Sequence, residues 1–159
     1  MIRPVTDSGS PDALERTLLN AGRIVLASLF VLGGIAKIAS PDLYLDRMTA
    51  AGLEPARLLL TLVIALELCG GLWVSSGARG HGLPALALAA HTLLINVTLY
   101  PFWEVGDADR VEQISFFFKN VSIAGGLLFV AGVSRRHDRE RLAGVRPPAP
   151  GHDRTPPPH

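Results

Sequence analysis

The sequence predicts an all-α fold, an antiparallel four-helix transmembrane bundle with a short interfacial helix between spans 1 and 2. Four apolar runs carry this prediction, because a helix that crosses a bilayer needs about 20 mostly apolar residues. The mean hydropathy of +0.32 and the apolar share of 48% are high for a chain with polar ends. The connection at residues 77–82, GARGHG, is so short that its flanking spans must run antiparallel.

A polar head is predicted at residues 1–20, in which a loop leads into a helix around Pro11, followed by span 1 at residues 21–39. The apolar run at residues 24–36 follows Arg23, an arrangement that a secretory signal peptide also shows. No small-x-small cleavage site follows this run before Pro41. We therefore interpret the run as a retained span rather than as a cleaved signal.

The connection between spans 1 and 2 contains the predicted interfacial helix, at residues 40–55. Its opening Ser-Pro-Asp can start a helix. Leu43, Leu45 and Met48, together with Tyr44, make this helix partly amphipathic. Such a pattern favours a position at the membrane interface over one across the bilayer.

Span 2, predicted at residues 57–76, carries Glu67 near its centre. A charged side chain at mid-bilayer costs at least about 2.5 kcal/mol, so such a group is usually turned toward other helices and paired. The other spans are therefore expected to supply a partner for this carboxylate.

Spans 3 and 4 are predicted at residues 83–103 and 114–133. Pro84 suits the first turn of span 3, and the aromatic residues that close this span are typical anchors at a membrane interface. After span 4 the chain is basic and then Pro-rich. Residues 134–159 have too little apolar surface to fold by themselves and are predicted to be a disordered tail.

The distribution of basic residues predicts that both termini are cytoplasmic. An even number of spans places the termini and the 77–82 turn on one side of the membrane, and cytoplasmic loops are the more basic ones. That side carries ten basic residues, Arg3, Arg16, Arg23, Arg79, Arg135, Arg136, Arg139, Arg141, Arg146 and Arg154, and the other side carries five, Lys37, Arg47, Arg57, Arg110 and Lys119.

Polar residues inside the spans fall in the outer half of the predicted bundle. At about 1.5 Å of rise per residue, Glu67 and His91 lie near the same depth. The remaining polar residues lie between that depth and the outer surface. The candidate polar pocket consists of Lys37, Glu67, His91, Asn96, Tyr100, Lys119 and Asn120.

Glycine pairs share helix faces with two of these ionisable groups. Residues 33–34 lie one turn before Lys37, residues 70–71 lie one turn after Glu67, and span 4 contains a third pair at residues 125–126. Small residues mark close helix contacts in membranes. The bundle is therefore predicted to pack tightly toward the cytoplasm and to be more open on the outside.

Charge and cysteine content exclude some functions. The net charge is +1 and the basic residues are scattered, which does not indicate a nucleic-acid partner. Cys69 is the single cysteine, so the chain has neither an internal disulfide nor a CxxC motif. One His and one Glu at the same depth are too few donors for a metal site.

Five segments carry a resemblance to a known family. They are GRIVLASLFVLGGIAKIASP, M-x-x-x-G from Met48, ALELCGGLWVSSGAR, HTLLINVTLYPFW and FFFKNVSIAGGLLF, within about residues 20–133. In this order and spacing they resemble the DoxX family of four-helix bacterial membrane proteins. The most specific parts are G-x-x-K-x-x-x-P in span 1, E-x-x-GG in span 2 and KN-x-x-x-x-GG in span 4.

The resemblance implies a multi-pass protein of the bacterial cytoplasmic (inner) membrane. The family includes or borders the DoxD-type subunit of thiosulfate:quinone oxidoreductase and the methylamine-utilisation protein MauE, which implies a link to membrane redox chemistry. A thiol-exchanging relative would use paired cysteines, and this chain has only Cys69. A disulfide-relay role is therefore not expected.

Two functional classes follow. In the first, the chain is an accessory subunit, at most a subunit of a quinone-linked oxidoreductase, which binds a quinone or a small apolar reductant in the polar pocket. Its lysines and His91 would donate to the ligand's oxygens and Glu67 would exchange a proton. Redox proteins or a second copy of the chain would be its partners, and a quinone is its candidate cofactor. In the second class, the chain is a non-catalytic scaffold or chaperone that docks partner proteins.

Single residues have structural alternatives too. A paired Glu67 could serve only to fix the register of the bundle. His91 is often a hydrogen-bonded core residue rather than a ligand-binding one. Lys37 and Lys119 lie close enough to the surface to reach it with their side chains as readily as to line a pocket.

Reporter fusions test the orientation of the termini. Alkaline phosphatase fused after Val133 should be inactive, because the enzyme is active only outside the cytoplasm. The same reporter within residues 104–113 should be active. The reverse pattern would contradict the proposed topology.

Overall fold

The computed structural model describes residues 13–99, 102–103 and 106–144, and their regular structure is helical throughout. The helices are α1 (Ala13–Ala39), α2 (Pro41–Ala50), α3 (Ala56–Ala65), a π-helical turn (Leu66–Gly70), α4 (Gly71–Ser76), α5 (Gly82–Leu99) and α6 (Asp107–Gly144). Four stretches are long and apolar enough to cross a membrane: α1, the continuous run from α3 to α4, α5 and α6. The predicted all-α fold with four spans is confirmed, and α2 is the predicted short helix between the first two spans.

The bundle has two different ends. At one end, which we call the tail end, α1 begins, α4 is followed by α5, and α6 ends. The opposite end carries α2, and we call it the loop end. Span 1 is α1, span 2 runs from α3 to α4, span 3 is α5 and span 4 is α6. Span 4 packs mainly along span 3, whereas span 1 packs mainly along span 2. Spans 1 and 4 therefore touch each other over only a short stretch.

Small apolar side chains dominate the centre of the bundle. The buried core consists of Ala27, Phe30, Val74, Ala85, Leu88, Ala89, Ala124, Leu127 and Ala131. A smaller cluster of Met48, Ala56 and Leu60 joins α2 to α3. Many larger apolar side chains instead face outward along the spans. An apolar surface of this extent suits contact with lipid.

The two glycine pairs of spans 1 and 2 lie at helix contacts, as the sequence predicts, whereas in the pair of span 4 only Gly126 does. A Cβ on Gly34 would lie 2.8 Å from Leu68, and a Cβ on Gly71 would lie 2.9 Å from Val31 and 3.2 Å from the Ala27 carbonyl oxygen. Spans 1 and 2 therefore approach each other so closely that only glycine fits on either side of the contact.

The first helix begins at Ala13, close to the helix start predicted around Pro11. The end of the last helix differs from the prediction. Residues 134–144, predicted as part of a disordered tail, continue α6, while residues 145–159 lie outside the described residues. The extension of an existing helix needs no new nucleus. Asp138 also lies three residues from both Arg135 and Arg141, a spacing that favours helix in a charged segment.

We expect Gly71→Ala to weaken the contact between spans 1 and 2. The added methyl group would press on the backbone of α1, and overpacking of this kind costs about 1–3 kcal/mol. Thermal unfolding of the purified protein in detergent measures the effect. Gly125→Ala is the matched control, because no heavy atom lies within 4 Å of a Cβ at that position. Equal unfolding temperatures for the two variants would contradict the tight contact.

Candidate functional site

Glu67 is a buried carboxylate at the centre of span 2, with 5% of its surface exposed. It lies on the π-helical turn Leu66–Gly70, which interrupts the α-helical bonding between α3 and α4. Single π-helical turns inside α-helices occur often at functional sites. This turn changes the direction, around the helix axis, in which the side chains of α4 point.

Lys37 supplies the counter-charge from span 1. Its Nζ donates to Glu67 Oε2 at 2.8 Å and to Oε1 at 3.0 Å, and the lysine side chain is 13% exposed. The same Nζ lies 3.4 Å from the Gly33 carbonyl oxygen and 5.1 Å from the centroid of the Tyr44 ring. The ammonium group is thus enclosed by span 1, span 2 and α2.

Chain direction explains why Lys37 reaches inward. In a helix each Cα–Cβ bond tilts toward the N-terminus. Span 1 starts at the tail end, so the Cα–Cβ bond of Lys37 tilts away from the loop end, toward the level of Glu67. Span 2 runs in the opposite direction, so the Cα–Cβ bond of Glu67 tilts toward the level of Lys37. Measured from the contact between Arg23 and Gly77, the Cα atom of Lys37 lies about 21 Å along the bundle axis and that of Glu67 about 15 Å. A lysine side chain spans this difference.

His91 on span 3 completes a buried cluster of three ionisable side chains. Its Nε2 lies 3.3 Å from Glu67 Oε1, and its side chain is 8% exposed. The carboxylate of Glu67 thus joins residues from spans 1, 2 and 3. We call Lys37, Glu67 and His91 the carboxylate cluster.

An amide pair connects span 3 to span 4. Asn96 is almost fully buried, and its Nδ2 donates to the Phe117 carbonyl oxygen at 3.0 Å. Asn120 Nδ2 donates to Asn96 Oδ1 at 3.2 Å. Lys119, the neighbour of Asn120, is exposed, and its Nζ lies 4.4 Å from the centroid of the Phe116 ring. Span 4 starts at the loop end, so the Cα–Cβ bond of Lys119 leans toward that surface.

A cavity of about 250 Å³ separates the carboxylate cluster from the polar residues of span 4. Five of the seven predicted site residues line it: Lys37, Glu67, His91, Lys119 and Asn120. The other walls are Leu29, Phe30, Gly33, Thr92, Ile95 and Ile123. Asn96 contributes through its bond to Asn120 rather than as a lining residue. Tyr100 lies outside the described residues.

Sequence reasoning missed two of the polar residues near the cluster. Tyr44 was considered only for the amphipathic pattern of α2, although its ring faces Lys37. Thr92 lines the cavity next to His91, and its hydroxyl donates to the Leu88 carbonyl oxygen at 2.8 Å. An aromatic residue five positions after the end of a helix that carries a lysine in its last turn is a signal that could have identified Tyr44. In the described part of the chain, no group of three or more His, Cys, Asp or Glu side chains could hold a metal ion.

These features define a class, small multi-pass membrane proteins whose spans meet at a buried, paired carboxylate. The chain belongs to the DoxX family, whose family model matches residues 18–101, slightly more than half of the chain. The inner membrane protein YphA of Escherichia coli (strain K12) is 28% identical over 120 residues, which make up 75% of this chain and 84% of YphA. No solved structure matches the chain.

We expect Glu67→Gln to destabilise the bundle, because it leaves the Lys37 ammonium buried without its counter-charge. Loss of one partner of a buried pair typically costs about 3–5 kcal/mol. Unfolding by SDS in mixed micelles measures the change. Glu112→Gln makes the same chemical change at an exposed position and should have little effect.

Double-mutant cycles identify the partners of Glu67. Cycles with Lys37 and with His91 should show coupling energies above about 0.5 kcal/mol, whereas the cycle with Lys119 should be additive. Additivity in all three cycles would contradict the carboxylate cluster.

Proposed function

We propose that this DoxX-family protein is an accessory subunit for redox chemistry in the bacterial inner membrane, with both termini in the cytoplasm. It binds a quinone, or a similar apolar molecule with hydrogen-bonding oxygens, in the cavity beside the carboxylate cluster. The inner-membrane assignment is supported by the relative YphA, and the orientation by the basic residues of the tail end. A redox protein partner supplies the electrons, and this chain supplies binding and proton exchange.

The observation that carries this proposal is a cavity lined by both hydrogen-bond donors and apolar side chains. Asn120 and Lys119 can donate hydrogen bonds to ligand oxygens, while Phe30 and Ile123 offer apolar contact. This combination is typical of small-molecule sites. Glu67 lies in contact with the same cavity and can accept or release a proton as the ligand is reduced or oxidised.

The size of the cavity restricts what part of a ligand it holds. Pockets that enclose drug-sized ligands occupy about 300–1,000 Å³, and this cavity of about 250 Å³ is slightly smaller. It suits a single ring with its oxygens, whereas an isoprenoid tail would lie outside, among the exposed apolar side chains of the spans. The proposed ligand is therefore held by its head group.

A scaffold without chemistry of its own is the second candidate. One observation favours it: Lys37 and His91 already satisfy both oxygens of Glu67, so the carboxylate cluster is complete without a ligand. In that case the cluster fixes how the spans rotate against one another, and the surface of the bundle docks partner proteins.

We expect quinone to copurify with the wild-type chain and a short-tailed quinone to raise its unfolding temperature. Ile123→Phe should abolish both effects, because the larger side chain occupies the cavity while all three residues of the carboxylate cluster stay in place. Solvent extraction followed by chromatography quantifies the bound quinone.

Val121→Phe is the matched control, since Val121 lies on the same helix and is exposed. It should bind quinone as the wild type does. A wild-type protein that neither carries quinone nor responds to it would contradict the quinone pocket and favour the scaffold.

A further inference from the structure

A larger cavity, of about 770 Å³, opens between α1 and α6 at the tail end. These two helices meet where Gly126 lies against Leu26, and the cavity lies on the tail-end side of that contact. We call it the tail-end cleft. None of its lining residues belongs to the carboxylate cluster or to the cavity beside it.

The cleft crosses the level at which the short connection between α4 and α5 turns. Helix α4 ends at Ser76 and α5 begins at Gly82, whose N–H donates to Ser134 Oγ of α6 at 3.1 Å. Both α1 and α6 continue beyond this level, by about ten residues or 15 Å. Because the ends of the short spans mark the membrane surface, the cleft lies partly in the bilayer and partly at the level of the lipid head groups.

Positive charge concentrates in the part of the cleft that lies at and beyond this level. It is lined by four arginines and two histidines against a single aspartate: Arg16, Arg23, Arg79, Arg141, His81, His137 and Asp138. Guanidinium groups present a planar fork of donors that matches the oxygens of a phosphate group. Basic pockets between membrane helices at this level bind the head groups of anionic lipids.

Arg23 has an unused donor in this region. Its Nε is buried, and among the described residues no hydrogen-bond acceptor contacts it. The guanidinium lies against Gly77, which has a φ of +67° and ends α4, and a Cβ at that position would collide with it. A buried donor without an acceptor is unfavourable. An anion in the cleft would supply the missing acceptor.

The walls of the cleft are apolar on the side that faces the bilayer. Val25 and Leu26 of α1 face Phe129, Val130 and Val133 of α6 across it. A soluble phosphate compound would leave these walls uncovered, whereas an acyl chain would cover them. The combination of arginines at the surface and apolar walls beneath them fits an amphiphile.

We propose that the tail-end cleft binds one anionic glycerophospholipid. Its phosphate lies between Arg23 and Arg79, and an acyl chain runs along Val25 and Phe129. The proposal depends neither on the redox function nor on which side of the membrane the termini occupy.

Native mass spectrometry of the full chain in mild detergent tests the proposal. After delipidation the protein is titrated with phosphatidylglycerol, with phosphatidylcholine of the same acyl chains, and with inorganic phosphate. We expect one phosphatidylglycerol per chain to bind in preference to phosphatidylcholine. Arg23→Gln should weaken this binding at least about tenfold, as expected for the loss of a charge-assisted hydrogen bond.

Arg79→Gln is a second test variant, because Arg79 is exposed on the turn and its loss should leave the fold intact. Arg57→Gln, the same change at an exposed position of the loop end, should bind phosphatidylglycerol as the wild type does. Equal binding of the two lipids, or equal binding by all variants, would overturn the proposal. Inorganic phosphate that competes fully with phosphatidylglycerol would assign the cleft to a soluble anion and would also overturn it.

Discussion

The carboxyl group of Glu67 in the middle of an apolar span is the constraint on which the arrangement of the other spans depends. Such a group is too costly to face lipid, and Lys37 and His91 reach it from two other spans. A buried pair of this kind adds little net stability compared with apolar packing, but it is costly to break. The contacts form at one rotation of spans 1 and 3 about their axes relative to span 2.

Close packing and chain direction make this pairing possible. Gly34 and Gly71 allow spans 1 and 2 to approach until their backbones are nearly in contact. Antiparallel direction then makes the side chains of Lys37 and Glu67 lean toward each other. The same rule separates the two lysines of the predicted pocket. Lys37 leans inward and is nearly buried, whereas Lys119 leans toward the loop end and is exposed.

The uneven packing of the four spans creates two separate cavities. Span 4 is held mainly by span 3, through the Asn96–Asn120 pair and the alanine-rich core. It is therefore only loosely joined to span 1. Near the loop end the space between them is small and bounded by the carboxylate cluster. At the tail end it widens into the arginine-lined cleft. The predicted tight packing toward this end therefore holds between spans 1 and 2 but is wrong for spans 1 and 4. The first suits a ring with polar oxygens, and the second suits an anionic amphiphile.

Much of the architecture was determined by the sequence alone. The four spans, their antiparallel order and the need of Glu67 for a partner follow from apolar length, a six-residue turn and the cost of a buried charge, which are all local properties. The family was recognisable from the same segments. The sequence could also place Glu67 and His91 near the same depth, with Lys37 and Asn120 nearer the outer surface, because the rise of a helix is constant.

Only the tertiary structure decided which of these residues meet. The rotation of each helix about its axis decides that Glu67 pairs with Lys37 and His91 rather than with Lys119. It also decides the contact of Tyr44 with Lys37, and the π-helical turn at Glu67 is part of the same arrangement. The cleft beside Arg23 depends on this rotation too. Rotation is set by the fit of small side chains between neighbouring spans, such as Gly71 against the backbone of Ala27. That fit joins residues far apart in the chain, so no local pattern in the sequence contains it.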